Sequence, residues 1–465
     1  MMSGNFKPPD RASATRGRSA EPPSLPFGGV FQELHPALGA EDAAREAERC
    51  LECGSISVQA PCTVACPADV DVAGFIARIV DGQPEAAADI IFAANPLGGS
   101  CARVCPTEVL CEGACVLETA GRRPVAIGRL QRYATDAGFA AGTLTPAPQP
   151  GNGRKVAVVG AGPAGMACAA TLAQLGYEID IYDARHEVGG LVRYAIAPYR
   201  QVREPLPQEA KRLEAMGVRF HLDAPVRGRE GLRHLEEEFD AVFLGIGLGE
   251  DADVRYDGDE LPGVYESLPF IEAVKDGLAP EVGRSVAVIG GGNTAMDCAR
   301  EALRLGAEDV VVLYRRTEAE MPAFRHEVLE AMEDGVRFLF LTLPQAFMGD
   351  GHVAVVRCQR MELGEPDESG RRRPRPVPGE FFEIPVDTVI KAVGQRYRTG
   401  FLAQIPGLQH ERGPLEIDGA TGQTGNPKFF AGGDAVNGGG TVVEAVQHGK
   451  TAALGIDRYL RGLPR

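Results

Sequence analysis

The chain contains the stretch KVAVVGAGPAGMACAATLAQLG at residues 155–176 and repeats it as SVAVIGGGNTAMDCAREALRLG at residues 285–306. Each copy has the pattern of an apolar strand, a G-x-G-x-x-G or G-x-G-x-x-A turn, and a helix. In such a turn the first glycine permits the tight bend, the second lets the backbone approach a pyrophosphate, and the helix N-terminus stabilises the phosphate charge. One such motif is weak evidence, but two in the same strand–turn–helix context predict two dinucleotide-binding domains.

The residues that follow the first copy indicate FAD. The next strand ends at Asp183, where a carboxylate accepts hydrogen bonds from a ribose with free hydroxyls. The stretches FFAGGD at 429–434, GGL at 189–191 and VIKAVG at 389–394 resemble elements of flavoprotein reductases of the glutathione reductase superfamily. In that superfamily the first of these brings an aspartate to the ribityl chain of the flavin. We therefore predict these FAD-binding residues: Gly160, Gly162, Pro163, Ala164, Gly165, Asp183, Gly190, Leu191, Arg200, Gly433, Asp434 and Thr441.

The second copy is followed by a strand that ends in two arginines, Arg315 and Arg316. Guanidinium groups at this place suit the 2′-phosphate of NADP. The alternative is that both arginines only solvate the end of the strand. The predicted NADPH-binding residues are Gly290, Gly292, Asn293, Thr294, Ala295, Arg315 and Arg316.

The position of the second copy predicts that the NADPH-binding domain is inserted in the FAD-binding domain. The expected fold is α/β with an N-terminal α-helical domain, because strands and helices alternate only after residue 150. A stretch rich in Pro, Ser, Gly and Arg at the start predicts a disordered tail. The expected boundaries are 1–30 for the tail, 31–145 for the helical domain, 152–282 and 380–465 for the FAD-binding domain, and 283–379 for the NADPH-binding domain.

Eight of the eleven cysteines lie between Cys50 and Cys115, within the predicted helical domain. They form two runs, C-x2-C-x8-C-x3-C-P from Cys50 and C-x3-C-P followed by C-x3-C from Cys101. A cysteine before proline that closes a series of short spacings is typical of bacterial ferredoxins with two clusters. The spacing therefore predicts two four-iron clusters in a helical, ferredoxin-like domain.

Two other interpretations of these cysteines are disulfide bonds and zinc sites. Disulfides need an oxidising compartment, and the N-terminus lacks the apolar segment of a signal peptide. Two structural zinc sites are the stronger alternative, although zinc ribbons favour CxxC pairs and only Cys50 and Cys53 form one. Cys168, Cys298 and Cys358 are isolated and fit buried packing positions.

The composition argues against some classes of binding partner and against a membrane-spanning protein. The formal net charge of −16 argues against binding to nucleic acid or to an anionic membrane. The uncharged stretch 156–177 contains glycines and a proline, so it fits strand, turn and helix better than a membrane span. We expect a cytoplasmic protein. No CxxC or CxxxxC pair lies near the flavin motifs, which disfavours a disulfide reductase, and no residue is nominated as a general acid or base.

From about residue 40 the chain resembles the NADPH-oxidising half that dihydropyrimidine dehydrogenase shares with the glutamate synthase small subunit. The segments 95–98, 101–115 and 127–136 resemble the dihydropyrimidine dehydrogenase branch. The resemblance implies that electrons pass from NADPH through FAD and two [4Fe-4S] clusters to a separate FMN-containing subunit that reduces uracil or thymine. No residues remain here for the barrel of about 250 residues that such a subunit needs. The alternatives are a glutamate synthase large subunit as partner, or a stand-alone electron-transfer module.

The resemblance also implies which residues bind the clusters. One cluster takes Cys50, Cys53, Cys62 and Cys115, and the other takes Cys66, Cys105, Cys111 and the side-chain amide of Gln131. Counting thiols alone would place Cys101 in the position of Gln131. The chain departs from the family in the eight-residue gap between Cys53 and Cys62, which is longer than usual, and in Asp183, where a glutamate is commoner.

The cofactor content tests this interpretation. Protein purified without oxygen should contain about one FAD and about eight iron atoms per chain, since two four-iron clusters hold that number. Elemental analysis and flavin release measure both. Two zinc ions per chain with negligible iron would contradict the cluster assignment.

Overall fold

The computed structural model describes residues 31, 33–54, 58–142, 149–366, 370–410 and 413–463. The predicted disordered tail at 1–30 lies outside these residues. No helix in the described part of the chain is long and apolar enough to cross a membrane.

The N-terminal part is helical, as predicted. Prolines at the first position of two helices fix φ where no intrahelical N–H bond is needed, at Pro61 and Pro84. The carboxylate of Asp71 caps another helix by accepting from the Gly74 N–H at 3.0 Å. The helices are α1 (Ala40–Ala47), α2 (Pro61–Val64), α3 (Val72–Val80), α4 (Pro84–Ala94), α5 (Gly98–Val104), α6 (Val116–Thr119) and α7 (Ile127–Ala141).

The first nucleotide-binding unit is a parallel five-stranded sheet in the order β15-β4-β1-β2-β3. Its central strands are apolar and buried, as expected when helices cover both faces. In register, Val156 of the first strand lies opposite Ile179 and Ala241. The elements are β1 (Lys155–Val159), α8 (Pro163–Gln174), β2 (Glu178–Tyr182), α9 (Leu191–Tyr194), α10 (Leu206–Ala215), β3 (Arg219–His221), α11 (Gly228–Glu238), β4 (Ala241–Leu244), α15 (Thr399–Leu402), β15 (Phe429–Ala431), α16 (Asp434–Asn437) and α17 (Val442–Leu460).

The second unit is a parallel five-stranded sheet in the order β6-β13-β7-β8-β9, and all its strands come from between β4 and β15. A three-stranded antiparallel sheet, β10-β11-β12, and the short pair β14-β5 accompany it. The elements are β5 (Glu250–Asp251), β6 (Val264–Glu266), α12 (Ser267–Lys275), β7 (Ser285–Ile289), α13 (Asn293–Arg304), β8 (Asp309–Tyr314), α14 (Arg325–Glu333), β9 (Arg337–Phe340), β10 (Thr342–Met348), β11 (Val355–Pro366), β12 (Arg372–Pro385), β13 (Thr388–Lys391) and β14 (Gln395–Arg396).

The strand pairing differs from the boundaries expected from the sequence. Strands β6 and β13 lie outside the predicted range 283–379, yet β13 pairs with both β6 and β7 in the second sheet. The physical reason is that β7 is a central strand of a parallel sheet buried on both faces, so it needs a hydrogen-bonded strand on each side. Strand β13 is one of these two neighbours, and β8 is the other. The second unit therefore begins before β6 and continues through β13.

The helical domain and the first sheet share one hydrophobic core. Buried side chains form one contact cluster from Phe75 and Ile91 in the helical domain to Met166 and Phe243 beside the first sheet. The second sheet has a core of its own, which includes Phe31 from the N-terminal segment. The helical domain is thus packed firmly against the first unit.

A cluster of charged side chains joins the helical domain to the second sheet. The guanidinium of Arg200 lies 3.6 Å from Asp297 and 3.3 Å from Glu327, and it donates to the carbonyl of Val104 at 3.3 Å. Burial raises the pKa of Asp297 to about 6, against the opposing effect of Arg200. We name this the junction cluster: Arg200, Asp297, Glu327, and the pair His326–Glu108 described next.

His326 of α14 forms an ion pair with Glu108, with 2.5 Å between Nδ1 and Oε1. The contact is an ion pair rather than a directed hydrogen bond, since Nδ1 has no hydrogen-bond partner within the described residues. Burial alone would lower the pKa of His326, but the carboxylates of Glu108 and Glu327 outweigh burial and raise the pKa to about 9.

This pair predicts a pH-dependent stability. A histidine whose pKa is higher in the folded protein stabilises it below its unfolded pKa of about 6.5, and that contribution is lost as pH rises towards 9. His326→Gln should lower the free energy of unfolding by about 1 kcal/mol at pH 6, a value discounted for the partial exposure of the pair, and by little at pH 9.5. Thermal melts at both pH values measure this, with His410→Gln, outside the junction cluster, as the control. An equal loss at both pH values would show that His326 only fills space.

Candidate functional site

Both glycine-rich turns open into one cavity of about 2260 Å³ between the two parallel sheets. Of the nineteen predicted nucleotide-binding residues, seventeen line it. Gly165 and Ala295 do not, and they serve packing instead, as the third position of the motif requires. The lining residues are Gly160, Gly162, Pro163, Ala164, Asp183, Gly190, Leu191, Arg200, Gly290, Gly292, Asn293, Thr294, Arg315, Arg316, Gly433, Asp434 and Thr441.

Close backbone contacts at Gly160 and Gly165 shape the first turn. Gly160 has φ +107°, and a Cβ there would lie 2.3 Å from the carbonyl oxygen of Gly245. A Cβ on Gly165 would lie 1.9 Å from the carbonyl oxygen of Gly160, so this position sets how closely α8 packs on β1. Over Gly162 the space is open, because a Cβ would meet only the Gly190 Cα, at 3.8 Å. Gly162 begins α8 without a side-chain cap, so the N–H groups of the first turn remain available to a pyrophosphate.

Two carboxylates lie further along the same part of the cavity. Asp183 is held by the N–H groups of Ala161, at 2.6 Å, and Arg185, at 2.8 Å. Asp434 accepts from the Gly440 N–H at 3.2 Å, and burial raises its pKa. These positions fit the ribose and ribityl hydroxyls of FAD, which need fixed acceptors.

Glu444 and His448, near the flavin motif, have structural partners. Glu444 accepts from the N–H of Thr441 at 2.6 Å and from its hydroxyl at 2.8 Å, which closes a capping box at the start of α17. His448 accepts from the Gly433 N–H through Nδ1 at 3.2 Å. Both side chains therefore position the backbone around Asp434.

The second turn repeats the geometry of the first. Gly290 has φ +142°, and a Cβ there would lie 2.2 Å from the carbonyl oxygen of Ala392. Over Gly292 a Cβ would meet only Pro322 Cγ, at 4.0 Å, so this turn also leaves room for a pyrophosphate. Asn293 accepts from the Phe324 N–H at 2.9 Å, which ties the turn to the segment before α14.

The two arginines after β8 have different surroundings. Arg315 is exposed on the cavity wall. Arg316 is only 6% exposed, and its Nε donates to the carbonyl of Arg372 at 2.9 Å. Arg371, which sequence reasoning missed, lines the same cavity. Only the run of three arginines at residues 371–373 could have drawn attention to it.

Four cysteines converge around a small apolar pocket in the helical domain: Cys50, Cys53, Cys62 and Cys115. Burial, with smaller contributions from the nearby thiols of Cys50 and Cys115, raises the pKa of the Cys62 thiol to about 11. We name these four the outer thiol group. Four converging thiols fit a four-iron cluster, whose iron ions would hold them as thiolates.

A second set of thiols contains Cys66, Cys105 and Cys111, and Cys101 lies beside them. The pKa of Cys105 is raised well above its usual value by a hydrogen bond with Cys101, by burial, and by the thiols of Cys111 and Cys66. Gln131 donates from Nε2 to the carbonyl of Gly98 at 2.8 Å, which anchors its nitrogen and leaves its oxygen to face other partners. We name Cys66, Cys105 and Cys111 the inner thiol group. The donor set fits a cluster completed by either Cys101 or Gln131.

No set of three or more His, Cys, Asp or Glu side chains in the described part of the chain is arranged to hold a single metal ion. This finding is compatible with the two thiol groups. In a four-iron cluster each protein ligand binds a different iron atom, so the ligands lie further apart than around one ion.

The inner thiol group lies next to the nucleotide cavity. Val104, Pro106, Val109 and Leu110, which flank Cys105 and Cys111 in the sequence, line the cavity. The pocket of the outer thiol group is lined by a different set of residues. The segment that bears Cys105 and Cys111 therefore borders the nucleotide cavity, whereas the outer thiol group borders a separate pocket.

Comparison with protein families supports this organisation. Residues 28–143 match the family described as dihydropyrimidine dehydrogenase domain II, 4Fe-4S cluster. Residues 154–449 match the pyridine nucleotide-disulphide oxidoreductase family. The predicted order, an iron–sulfur domain followed by an FAD- and NAD(P)-binding fold with parallel sheets, is confirmed.

Individual proteins with similar sequences or folds can also be named. The chain is 38% identical over 445 residues to the glutamate synthase [NADPH] small chain of Halomonas elongata, covering 92% of this chain and 93% of that one. It is 38% identical over 448 residues to the putative oxidoreductase AegA of Escherichia coli, covering 92% of this chain and 67% of AegA. The structure of Mycobacterium tuberculosis FprA in complex with NADPH superposes with a TM-score of 0.56 at 22% identity, covering 68% of this chain and 86% of FprA, and so shows a shared fold.

The inner thiol group generates a prediction about its fourth ligand. If the Gln131 amide oxygen completes the inner cluster, Cys101→Ser should keep both clusters. Gln131→Ala should then alter the electron paramagnetic resonance spectrum or the potential of one cluster, because net charge and ligand type set cluster potential. Cys168→Ser in α8 controls for the loss of a buried thiol. Loss of a whole cluster in Cys101→Ser, with Gln131→Ala silent, would reverse the assignment.

Proposed function

We propose that this chain is an electron-input subunit. The chain belongs to the pyridine nucleotide-disulphide oxidoreductase family, and a four-iron cluster domain precedes the part that matches this family. In this role it oxidises NADPH and delivers electrons to a separate acceptor subunit. The observation that carries the proposal is the shared cavity, whose wall includes both glycine-rich turns and the segment that bears Cys105 and Cys111.

The residues of this chain act by holding and ordering cofactors. When bound, NADPH and FAD supply two-electron chemistry and the clusters supply single-electron transfer. The turn at Gly160–Gly162 and the carboxylates of Asp183 and Asp434 hold FAD, while the turn at Gly290–Gly292 and Arg315 hold NADPH. The inner thiols hold a cluster at the cavity wall, and the outer thiols hold another beyond it. The two clusters, the individual ligands and the domain limits are part of this proposal.

The favoured partner is a glutamate synthase large subunit. The support is the small chain of Halomonas elongata, which this chain matches over nearly the full length of both proteins. The dihydropyrimidine dehydrogenase branch, which the sequence segments around Cys101 favoured, becomes the second candidate. It retains support from the family matched by residues 28–143, with an FMN-containing, pyrimidine-reducing subunit as partner.

Co-purification from the native host, followed by assays of NADPH oxidation, tests the proposal. The isolated chain should reduce an artificial dye with NADPH, because the flavin alone accepts the electrons of NADPH. With the partner present, NADPH oxidation should depend on 2-oxoglutarate and glutamine together. Dependence on uracil instead would favour the second candidate.

Variants of the outer thiol group test the proposed order of the cofactors. Cys53→Ser should abolish partner-dependent turnover while dye reduction by NADPH persists, since the dye takes electrons before the clusters. Cys358→Ser, at a buried position on β11 of the antiparallel sheet, is the matched control. Loss of dye reduction in Cys53→Ser at unchanged FAD content would contradict the proposed order of cofactors.

A further inference from the structure

Three consecutive arginines stand where strand β12 begins: Arg371 directly precedes the strand, and Arg372 and Arg373 are its first residues. Their side chains have different surroundings. Arg372 donates from Nη2 to the Leu363 carbonyl at 2.9 Å and from Nε to the Gly364 carbonyl at 3.2 Å. These bonds fasten β12 to β11 across the hairpin. Arg371 lines the nucleotide cavity, whereas Arg373 is exposed and does not line it within the described residues.

The hairpin is fixed to the end of β8 by Arg316. Besides the bond from Arg316 Nε to the Arg372 carbonyl, the Arg316 carbonyl accepts from the Leu341 N–H at 3.0 Å. The Leu341 carbonyl in turn accepts from the Met361 N–H of β11 at 2.8 Å. The backbone that bears Arg371 is thereby held at the end of β8, where Arg315 enters the cavity.

The remaining wall of this region belongs to the same sheet. Thr342, Leu343, Pro344 and Gln345, at the start of β10, line the cavity. Strand β10 begins directly after Leu341, so the wall, the hairpin and the end of β8 form one connected structure. A group bound at the tip of β8 therefore lies between Arg315 on one side and the antiparallel sheet on the other.

We infer that Arg371 is a specificity-determining residue that, together with Arg315, binds the 2′-phosphate of NADPH, and that Arg316 is a positioning residue acting through Arg371. The inference rests on the proposed function, since it deepens the NADPH site. Two guanidinium groups suit a phosphate dianion because each offers planar, charge-assisted donors. Arg316 then has a different role from the one predicted from the sequence. Its side chain, which is 6% exposed, holds the hairpin and does not bind the phosphate.

Binding of nucleotide fragments by the complete, FAD-loaded chain tests this assignment. The probes are 2′,5′-ADP, which carries the 2′-phosphate, and 5′-AMP, which lacks it, with calorimetry as the readout. Arg371→Gln should raise the Kd for 2′,5′-ADP about tenfold, as expected for losing a hydrogen bond to a charged group, and leave the Kd for 5′-AMP unchanged. Arg373→Gln, in the same run of arginines, is the matched control, and Arg371→Lys should recover part of the affinity. In turnover, Arg371→Gln should raise KM for NADPH with kcat unchanged.

A double-mutant cycle tests the positioning role of Arg316. If Arg316 acts through Arg371, Arg316→Gln should weaken 2′,5′-ADP binding in the wild-type background and add little to Arg371→Gln. Full additivity would contradict the positioning role. Unchanged 2′,5′-ADP binding in Arg371→Gln, or equal weakening of both probes, would refute the assignment of Arg371. Failure of the wild-type chain itself to prefer 2′,5′-ADP would instead count against the proposed use of NADPH.

Discussion

The fold depends on a close approach of backbone to backbone that occurs twice. Gly160, at the end of β1, faces the carbonyl of Gly245 directly after β4, and Gly290, at the end of β7, faces the carbonyl of Ala392 directly after β13. In both sheets the glycine lets the turn sit against the end of the neighbouring strand. That leaves the N-terminus of the following helix directed at open space. Any side chain at Gly160 or Gly290 would push the turn away from its neighbour and into the volume that a pyrophosphate requires.

The two sheets are built alike but are held differently. The first shares its core with the helical domain, whereas the second has a separate core that includes Phe31 of the N-terminal segment and also meets the helical domain through the junction cluster. Apolar packing is non-directional and strong when extensive, while the attraction within a buried ion pair is largely offset by the cost of removing both charges from water. The helical domain and the first sheet are therefore the more firmly fixed pair. This is the arrangement that keeps the inner thiols at a constant place relative to the first turn.

Much of this architecture could be predicted from the sequence because its signals are local. The strand–turn–helix repeats and the cysteine spacings each occur within a few tens of residues, so the two sheets and the helical domain could be predicted. The position of β13 could not, since its pairing with β7 joins residues about one hundred apart and its sequence also suits the first sheet. The different roles of Arg315 and Arg316 could not be predicted from the sequence either. They depend on a carbonyl of Arg372, which only the folded hairpin brings near.

The positions of the two thiol groups bear on the direction of electron transfer through the chain. Val104 and Pro106 are buried on either side of Cys105 and also line the nucleotide cavity, so Cys105 belongs to a segment that forms part of the cavity wall. Exposed apolar side chains lie near both thiol groups: Leu51, next to Cys50, is 61% exposed, and Val109, near Cys111, is 59% exposed. Because electron transfer weakens steeply with distance, a flavin held at the first turn would exchange electrons most readily with a cluster at the inner thiols, which flank the nucleotide cavity. In the proposed function, the chain would take up electrons at this cavity and pass them through the helical domain to a separate protein.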